Sequence, residues 1–169
     1  MTEPAADMVI RDAAAPDAVA MVSIYNHYVL NSTITFEEQA ISAEEMGARI
    51  AEVTAAGLPW LVAARAGRIV GYAYASKWKG RCAYRFSVET TVYLEQNATG
   101  HGIGTKLYAA LFERLRQAGM HAAIGGVALP NAASVALHEK CGMRKVAQFE
   151  QVGFKFNRWI DVGYWQWVL

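Results

Sequence analysis

The sequence predicts a single domain of the α+β or α/β class. Strand-like alternation and helix-like spacing of apolar residues follow one another along the chain, and no linker or repeat divides its 169 residues. Short turns separate the strand patterns in the first part, as in an antiparallel sheet, whereas the later part reads strand–helix–strand–helix–strand. We therefore expect one domain over residues 1–169, a length sufficient to bury its own core.

The first elements are a short strand and a helix. Met8–Arg11 alternates apolar and polar residues, which predicts an edge strand. Pro16 and Asp17 then begin a helix that ends before residues 31–33. Its apolar positions recur at three- and four-residue spacing at Ala18, Met21, Val22, Tyr25 and Val29.

A second helix and a strand pair follow. Ser42 and Glu45 have the spacing of a capping box, which predicts a helix that ends before Gly57. Trp60–Arg65 and Ile69–Trp78 are β-rich runs separated by a tight turn, so we expect a hairpin.

The next strand, Tyr84–Leu94, leads through a glycine-rich run at 100–104 into a helix that Gly119 ends. The apolar stripe of this helix is Ile103, Leu107, Leu111 and Leu115. A further strand covers Ala122–Ala128.

The last elements are a short helix and two strands. Asn131 is a typical N-cap residue for a helix that ends at Gly142. Met143–Val152 and Phe156–Val168 predict two closing strands.

Composition excludes several classes of protein. The net charge of +1 provides no basic excess for nucleic acid, and 54% hydrophobic with 18% charged residues excludes a disordered chain. Cys82 and Cys141 are too few for a disulfide framework or a zinc cage. Residues 1–8 lack the features of a secretory signal, and no apolar run approaches the ~20 residues of a membrane helix. We therefore expect a cytoplasmic protein without a metal, a membrane or a nucleic-acid partner.

Three glycines at alternate positions mark an anion site. Gly100, Gly102 and Gly104 lie between a strand and a helix, where backbone N–H groups and the helix dipole favour phosphate. The order Gly104-Thr105-Lys106 excludes a P-loop, and Thr105 stands where the dinucleotide fingerprint needs glycine. A loop without a ligand is the alternative.

A carboxylate lies in the middle of a predicted strand. Alternation places Glu89 on the face opposite Val88 and Thr90. Because burial of a charge is costly, such a carboxylate has a raised pKa and suits a general base. The alternative is a rim residue paired with Arg81 or Arg85.

A polar stripe follows on the short helix. Asn131, Ser134, His138 and Cys141 share one helical face. His138 could transfer protons or bind a ligand, or it could be structural. Covalent catalysis by Cys141 is disfavoured because no acid that would orient His138 is evident.

Cations surround one aromatic residue between two strands. Lys77, Lys79 and Arg81 flank Trp78 and suit an anionic group of a small ligand; a solvated turn is the alternative. The aromatic tail over 154–167 is assigned to the core or a subunit interface.

These features together resemble the GNAT superfamily of acyl-coenzyme A-dependent N-acyltransferases. Within it, the sequence is similar to the phosphinothricin and methionine sulfoximine acetyltransferases. The resemblance covers nearly the whole chain and is carried by Tyr25–Val29, Val88–Tyr93, Gly102–Tyr108, Leu129–Asn131, Ser134–Glu139, the run 137–143 and Gly163–Gln166.

The resemblance implies a mixed, mostly antiparallel sheet that is splayed at its centre and flanked by helices. It implies acetyl-CoA as co-substrate in the splay, and a homodimer. It also implies that Glu89 is the base and that His138 occupies the position of a tyrosine acid in many relatives. The expected cofactor-binding residues are Val92, Tyr93, Leu94, Thr99, Gly100, His101, Gly102, Ile103, Gly104, Thr105, Asn131 and Ser134.

One departure concerns the coenzyme loop. The family pattern begins with Gln or Arg, where this chain has Thr99. We expect the loss of one side-chain contact to pyrophosphate, and hence weaker coenzyme binding.

The implied reaction is acetylation of the α-amine of an amino-acid-like substrate such as phosphinothricin, methionine sulfoximine or methionine sulfone. Phe36, Lys77, Arg81 and Arg85 are the expected substrate-binding residues. Tyr84–Ser87 departs from the usual run of the family. Three alternatives remain: a GNAT enzyme for a polyamine, aminoglycoside or protein N-terminus, a non-catalytic acyl-CoA sensor, and a nucleic-acid-binding protein.

Overall fold

A computed structural model describes residues 8–169, so the stretch analysed for a secretory signal lies, apart from Met8, outside the described residues. Within that range, one sheet is flanked by helices. The elements are β1 Met8–Asp12, α1 Ala18–Asn31, α2 Ala43–Ala55, β2 Trp60–Arg65, β3 Arg68–Lys77, β4 Ser87–Leu94, α3 Ile103–Gln117, β5 Ala122–Ala128, α4 Ala132–Lys140, β6 Arg144–Lys155 and β7 Arg158–Val168. No helix in residues 8–169 has both the length and the apolar character needed to span a membrane.

The sheet has the strand order β1-β2-β3-β4-β5-β7-β6, with β1 at an edge as predicted. Neighbouring strands are antiparallel except β4 and β5, which are parallel. This mixed sheet confirms the predicted α+β class. β4 and β5 pair only from Ser87–Ala122 to Glu89–Ile124, although β4 continues to Leu94. Beyond Glu89 the two strands therefore diverge, and we call the space between them the central gap.

Helices cover both faces of the sheet. On β3, the Tyr72 ring contacts Tyr93, which in turn contacts Tyr25 of α1. A Cβ added to the preceding residue, Gly71, would lie 3.5 Å from Leu107 of α3. Because successive residues of a strand point to opposite faces, α1 lies on one face and α3 on the other.

The helix ends follow the signals in the sequence. Ser42 Oγ accepts from Glu45 N at 3.1 Å, and Ser42 N donates to Glu45 Oε2 at 2.7 Å, which is a complete capping box. Gly102 begins α3 with a φ of 74°, and Gly119 follows its end with a φ of 75°. The predicted apolar stripe of α3 is fully buried at Ile103, Leu107, Leu111 and Leu115.

Predicted strand boundaries were wrong in two regions, before β4 and in the final hairpin. β4 begins at Ser87 and not at Tyr84, because Cys82–Tyr84 forms a 3₁₀ turn, in which Tyr84 N donates to the Arg81 carbonyl and Arg85 N to the Cys82 carbonyl. The final hairpin turns at 156–157, where both residues have positive φ as in a type I′ turn. β6 therefore extends to Lys155, and β7 begins at Arg158.

Candidate active site

A cleft opens at the central gap. It consists of two adjoining cavities, an inner cavity of about 300 Å³ and a loop cavity of about 340 Å³. Val92, Tyr93, Asn131 and Ser134 are among the residues that line both, so the two cavities lie directly beside each other. The inner cavity holds Glu89 and His138, and the loop cavity lies against the glycine-rich segment.

Glu89 occupies the middle of the central strand β4 and is half-buried. Burial raises the pKa of its carboxyl group above the ordinary value. Among residues 8–169, Glu89 forms no ion pair, and Arg81 and Arg85 are exposed. The structure therefore does not show the alternative in which Glu89 pairs with one of these arginines.

His138 is buried on α4, and its ring is fixed by two hydrogen bonds. Its Nδ1–H donates to the Ser134 carbonyl at 2.7 Å, so Nε2 accepts from the Tyr108 hydroxyl at 3.3 Å. Burial lowers the pKa of His138, and the Ser134 bond opposes the shift. We infer a neutral imidazole at pH 7 with its proton on Nδ1. The Ser134 carbonyl, and not an acid, orients the ring.

Glu89 and His138 approach the cleft from opposite faces of the sheet. A Cβ at Gly126 of β5 would lie 3.6 Å from Glu89 Oε1, whereas a Cβ at the neighbouring Gly125 would collide with the His138 ring. Since neighbouring residues of β5 point to opposite faces, the two side chains line one cavity only because the strands diverge.

Cys141, the remaining member of the predicted stripe, does not line the inner cavity. Burial raises the pKa of its thiol, which disfavours the nucleophilic thiolate. Transfer without a covalent enzyme intermediate stays a prediction.

The loop cavity has the geometry of an anion site. Gly100 and Gly102 adopt positive φ of 78° and 74°. The first backbone bond of α3 runs from Lys106 N to Gly102 O, so the N–H groups of 103–105 precede the helical ladder. These groups and the helix dipole fit a phosphate. Gly100, Gly102, Ile103, Gly104 and Thr105 line the cavity, whereas His101 is exposed and outside its lining.

Thr99 also lines the loop cavity, but its hydroxyl is used locally. Oγ1 donates to the Gln96 carbonyl at 2.9 Å. The expected loss of a side-chain contact to pyrophosphate stays a prediction, and so does the weaker coenzyme binding that we expect from it.

The open edge of β4 presents alternate backbone groups to the central gap. Glu95 N donates to Val70 O and Trp78 N donates to Ser87 O, so the odd-numbered residues of β4 face β3. Because the directions of backbone groups alternate, the N–H groups of Val92 and Leu94 face the gap, whereas that of Tyr93 faces β3. Tyr93 contributes to the cleft by its position in the lining of both cavities.

Asn131 and Ser134 lie where the two cavities meet. Asn131 Oδ1 accepts from Ser134 N at 3.1 Å, which caps α4 as predicted. The amide nitrogen of Asn131 is thus the part of the side chain that remains for a ligand.

The expected substrate-binding residues do not all line the cleft. Phe36 lines the inner cavity. Lys77 lines a different cavity, between α2 and the sheet. Arg81 and Arg85 are exposed, and Arg85 lies over the Phe86 ring at 4.5 Å. Contact of these three cations with substrate stays a prediction.

Sequence reasoning missed two tyrosines of the inner cavity. Tyr108 lies on α3 beside its apolar stripe, so it reads as a core residue, and its bond to His138 is not visible in any local spacing. Tyr164 belongs to the aromatic tail that was assigned to core or interface, but it lines the inner cavity near Glu89. Neighbouring residues of a strand point to opposite faces, so Tyr164 and the buried Trp165 cannot both belong to the same side of the sheet. This alternation is the signal that could have identified Tyr164 as a cavity residue.

Comparison with known proteins defines the family. Residues 10–163 match the acetyltransferase (GNAT) domain. The chain is 43% identical over 154 residues to phosphinothricin N-acetyltransferase of Alcaligenes faecalis, covering 90% of this chain and 77% of that protein. It is 35% identical over 159 residues to the L-methionine sulfoximine/L-methionine sulfone acetyltransferase of Salmonella typhimurium, covering 94% of this chain and 93% of the relative.

A solved structure agrees with these matches. A phosphinothricin acetyltransferase of Sinorhizobium meliloti, in complex with acetyl-CoA, superimposes with a TM-score of 0.93 at 37% identity, covering 96% of this chain and 88% of that one. The chain therefore belongs to the GNAT acetyltransferases, enzymes that use acetyl-CoA as co-substrate. The predicted family and the predicted splayed sheet are confirmed.

Proposed function

We propose that residues 1–169 form one N-acetyltransferase domain that moves the acetyl group of acetyl-CoA to the α-amine of a small amino-acid-like substrate. The observation that carries this proposal is the half-buried Glu89 in a cleft that continues to the glycine-rich start of α3. Relatives named for phosphinothricin and for methionine sulfoximine or sulfone support this choice of substrate.

Glu89 acts as the general base. An amine reaches the enzyme as an ammonium and cannot attack until it loses a proton. The raised pKa of Glu89 makes its carboxylate a better proton acceptor, directly or through a water. The freed nitrogen then forms a bond to the thioester carbonyl carbon. Such a base contributes roughly 10²–10⁴-fold to the rate.

Backbone and buried side chains serve the rest of the transfer. The N–H of Val92 or Leu94 donates to the developing oxyanion at the open edge of β4. When the carbon–sulfur bond breaks, the second proton of the amine passes to the leaving thiolate through the Tyr108 hydroxyl, which is held in place by its hydrogen bond to His138 Nε2. Burial raises the pKa of the Tyr108 phenol, so it keeps its proton until the thiolate forms.

The coenzyme lies along the loop cavity. N–H groups of the segment 99–105 hold the pyrophosphate, and Asn131 and Ser134 border the pantetheine arm. Phe36 walls the acceptor side of the inner cavity. The carboxylate of the substrate pairs with a cation from Lys77, Arg81 or Arg85.

We also propose a homodimer in the cytoplasm. The β6–β7 hairpin exposes apolar side chains that a second copy would cover, at Phe149, Val152, Phe154, Phe156 and Trp159. Cys82 and Cys141 are free thiols, as is usual in a reducing compartment.

The deciding experiment measures thiol release from acetyl-CoA with a panel of amines. The panel holds methionine sulfone, methionine sulfoximine, phosphinothricin, methionine, spermidine and an aminoglycoside. We expect turnover with the first three and weak turnover with methionine. Preference for spermidine or the aminoglycoside would overturn the proposed substrate. Silence across the panel, with acetyl-CoA binding intact by calorimetry, would favour a divergent amine or a sensor.

A further inference from the structure

The connection between α1 and α2 forms one wall of the inner cavity. Ile34, Thr35 and Phe36 line that cavity, but this part of the described chain has neither helix nor strand. A loop without a hydrogen-bonded ladder depends on other elements to hold its backbone. We call residues 34–36 the acceptor wall.

A buried lysine holds this wall. Lys155 is the last residue of β6, and it is only 1% exposed. Its Nζ donates to the carbonyls of Thr35, at 2.8 Å, and of Val29, at 2.7 Å. Val29 lies in the last turn of α1, where carbonyls lack helical donors and a cation is favoured by the helix dipole. One ammonium thus joins the end of α1 to the acceptor wall.

A glycine on the same strand face receives the next residue of the wall. Gly153 precedes Lys155 by two positions, so both point to the same side of β6. A Cβ at Gly153 would collide with the Phe36 ring. Lys155 therefore places Thr35, and Gly153, on the same face of β6, places Phe36.

The acceptor wall is also connected to the catalytic strand. The hydroxyls of Thr35 and Tyr25 are hydrogen-bonded at 2.8 Å, and the Tyr25 ring meets Tyr93 of β4 edge-on at 5.1 Å. A shift of Thr35 would therefore disturb both the wall and the strand that carries Glu89.

The chemistry of Lys155 favours a positioning role over a stabilising one. Within residues 8–169 it forms no ion pair with a carboxylate, and its hydrogen bonds go to carbonyl groups. Burial of an ammonium costs free energy, and a protein with a well-packed apolar residue at such a position is often as stable as one with the charge. What the apolar residue cannot supply is two directed donors for the loop backbone.

We propose that Lys155 and Gly153 are positioning residues that set the acceptor wall and thereby select the side chain of the amine. The proposal rests on the proposed function in that the inner cavity is taken as the amine site. Neither residue lines that cavity, so both act through Thr35 and Phe36.

The first test is Lys155→Met, which keeps an unbranched apolar stem and removes the donors. We expect KM for methionine sulfone to rise roughly 10–100-fold, while KM for acetyl-CoA changes less than about twofold. The ratio of kcat/KM for methionine sulfone to kcat/KM for methionine should fall. Lys145→Met, the same change at an exposed residue of the same strand, is the control. An unchanged amine KM and selectivity would overturn the role of Lys155.

A double-mutant cycle tests Gly153 separately. Gly153→Ala should raise KM for the amine in the wild-type background but not in a Phe36→Ala background, because the collision requires the ring. An equal effect in both backgrounds would contradict the proposal. If Lys155→Met does not fold, this cycle still tests whether β6 positions the acceptor wall.

Amide hydrogen exchange gives a readout that needs no turnover. Residues 32–38 should exchange faster in Lys155→Met than in Lys145→Met or the unmodified chain. If the unmodified chain acetylates no amine, the proposed function fails, and the exchange rates still decide whether Lys155 holds the wall. If the chain is active and neither the kinetics nor the exchange changes, only this inference fails.

Discussion

At the scale of single residues, burial shifts the pKa values of Glu89 and His138 in opposite directions. Burial disfavours the charged form of each group, so it raises the pKa of the Glu89 carboxyl and lowers the pKa of the His138 imidazole. Glu89 thereby becomes a better proton acceptor, whereas His138 stays neutral and keeps its hydrogen bonds to Ser134 and Tyr108.

The proposed role of Glu89 as general base predicts a defined kinetic change. Glu89→Gln should lower kcat by roughly 10²–10⁴-fold and leave KM for acetyl-CoA nearly unchanged. In the unmodified enzyme, activity should fall as pH drops through the raised pKa of Glu89, and this acidic limb should vanish in the variant. Steady-state rates across pH measure both effects, with Glu113→Gln on the exposed side of α3 as control. Full activity of Glu89→Gln would remove this residue from the mechanism.

The lowered pKa of His138 predicts a pH-dependent stability. Its unfolded form binds a proton near pH 6.5, whereas the folded form does so only at lower pH. Its neutral form therefore favours folding above about pH 6.5, and this contribution is lost as pH falls through the window below that value. Thermal unfolding should show a smaller loss of Tm between pH 7 and pH 5 in His138→Gln than in the unmodified chain. The exposed His121→Gln should keep the full loss; an equal loss in both variants would contradict the assignment.

At the scale of elements, two adjacent glycines of β5 leave space for the proposed catalytic groups. Gly125 leaves space for the His138 ring on one face, and Gly126 lies beside Glu89 and Tyr164 on the other. Sequence analysis predicted this strand but assigned no role to its glycines. The close approach of His138 on α4 to the sheet therefore requires glycine at position 125, whereas glycine at position 126 leaves space beside Glu89.

This packing predicts the effect of one added methyl group. Gly125→Ala should displace the His138 ring, lower kcat by about tenfold or more and cost roughly 1–3 kcal/mol of unfolding free energy. Kinetics and denaturant unfolding measure the two effects. Gly47→Ala is the matched control, because a Cβ there meets open space on α2. A Gly125→Ala enzyme with unchanged kcat would show that His138 tolerates displacement.

At the scale of the whole molecule, the final hairpin has apolar side chains that are exposed to solvent in the single chain. Trp159 is 62% exposed, and its ring packs on Phe154 at 4.8 Å. Large exposed apolar patches of this kind are typical of interfaces between subunits.

The proposed dimer predicts a change in mass on mutation of this surface. Trp159→Glu should convert a dimer to a monomer in sedimentation equilibrium, because an interface charge would be buried without a partner. Val19→Glu, at an exposed apolar residue of α1, should leave the dimer intact. A monomeric unmodified chain would refute the dimer, and a dimeric Trp159→Glu would move the interface elsewhere.

The sequence predicted every main element and most of the cleft. Prediction succeeds where the signal lies within a few residues of the feature it sets. The capping box at Ser42, the glycines around 100–104 and the N-cap at Asn131 each mark the start of a helix. Boundaries failed at the 3₁₀ turn before β4 and at the turn 156–157, because apolar and aromatic residues there imitate a strand.

The sequence by itself determined the family, through its resemblance to known members, and it determined the sheet class and the polar groups available for chemistry, since these two depend on spacing along the chain. Only the tertiary structure decided that Glu89 and His138 share one cavity, because they point to opposite faces and meet only where β4 and β5 diverge. It also decided that Lys155 reaches Thr35, a contact between residues 120 positions apart that no local pattern encodes. Divergence of strands and long-range donors are properties of the assembled sheet, and periodicity carries no information about them.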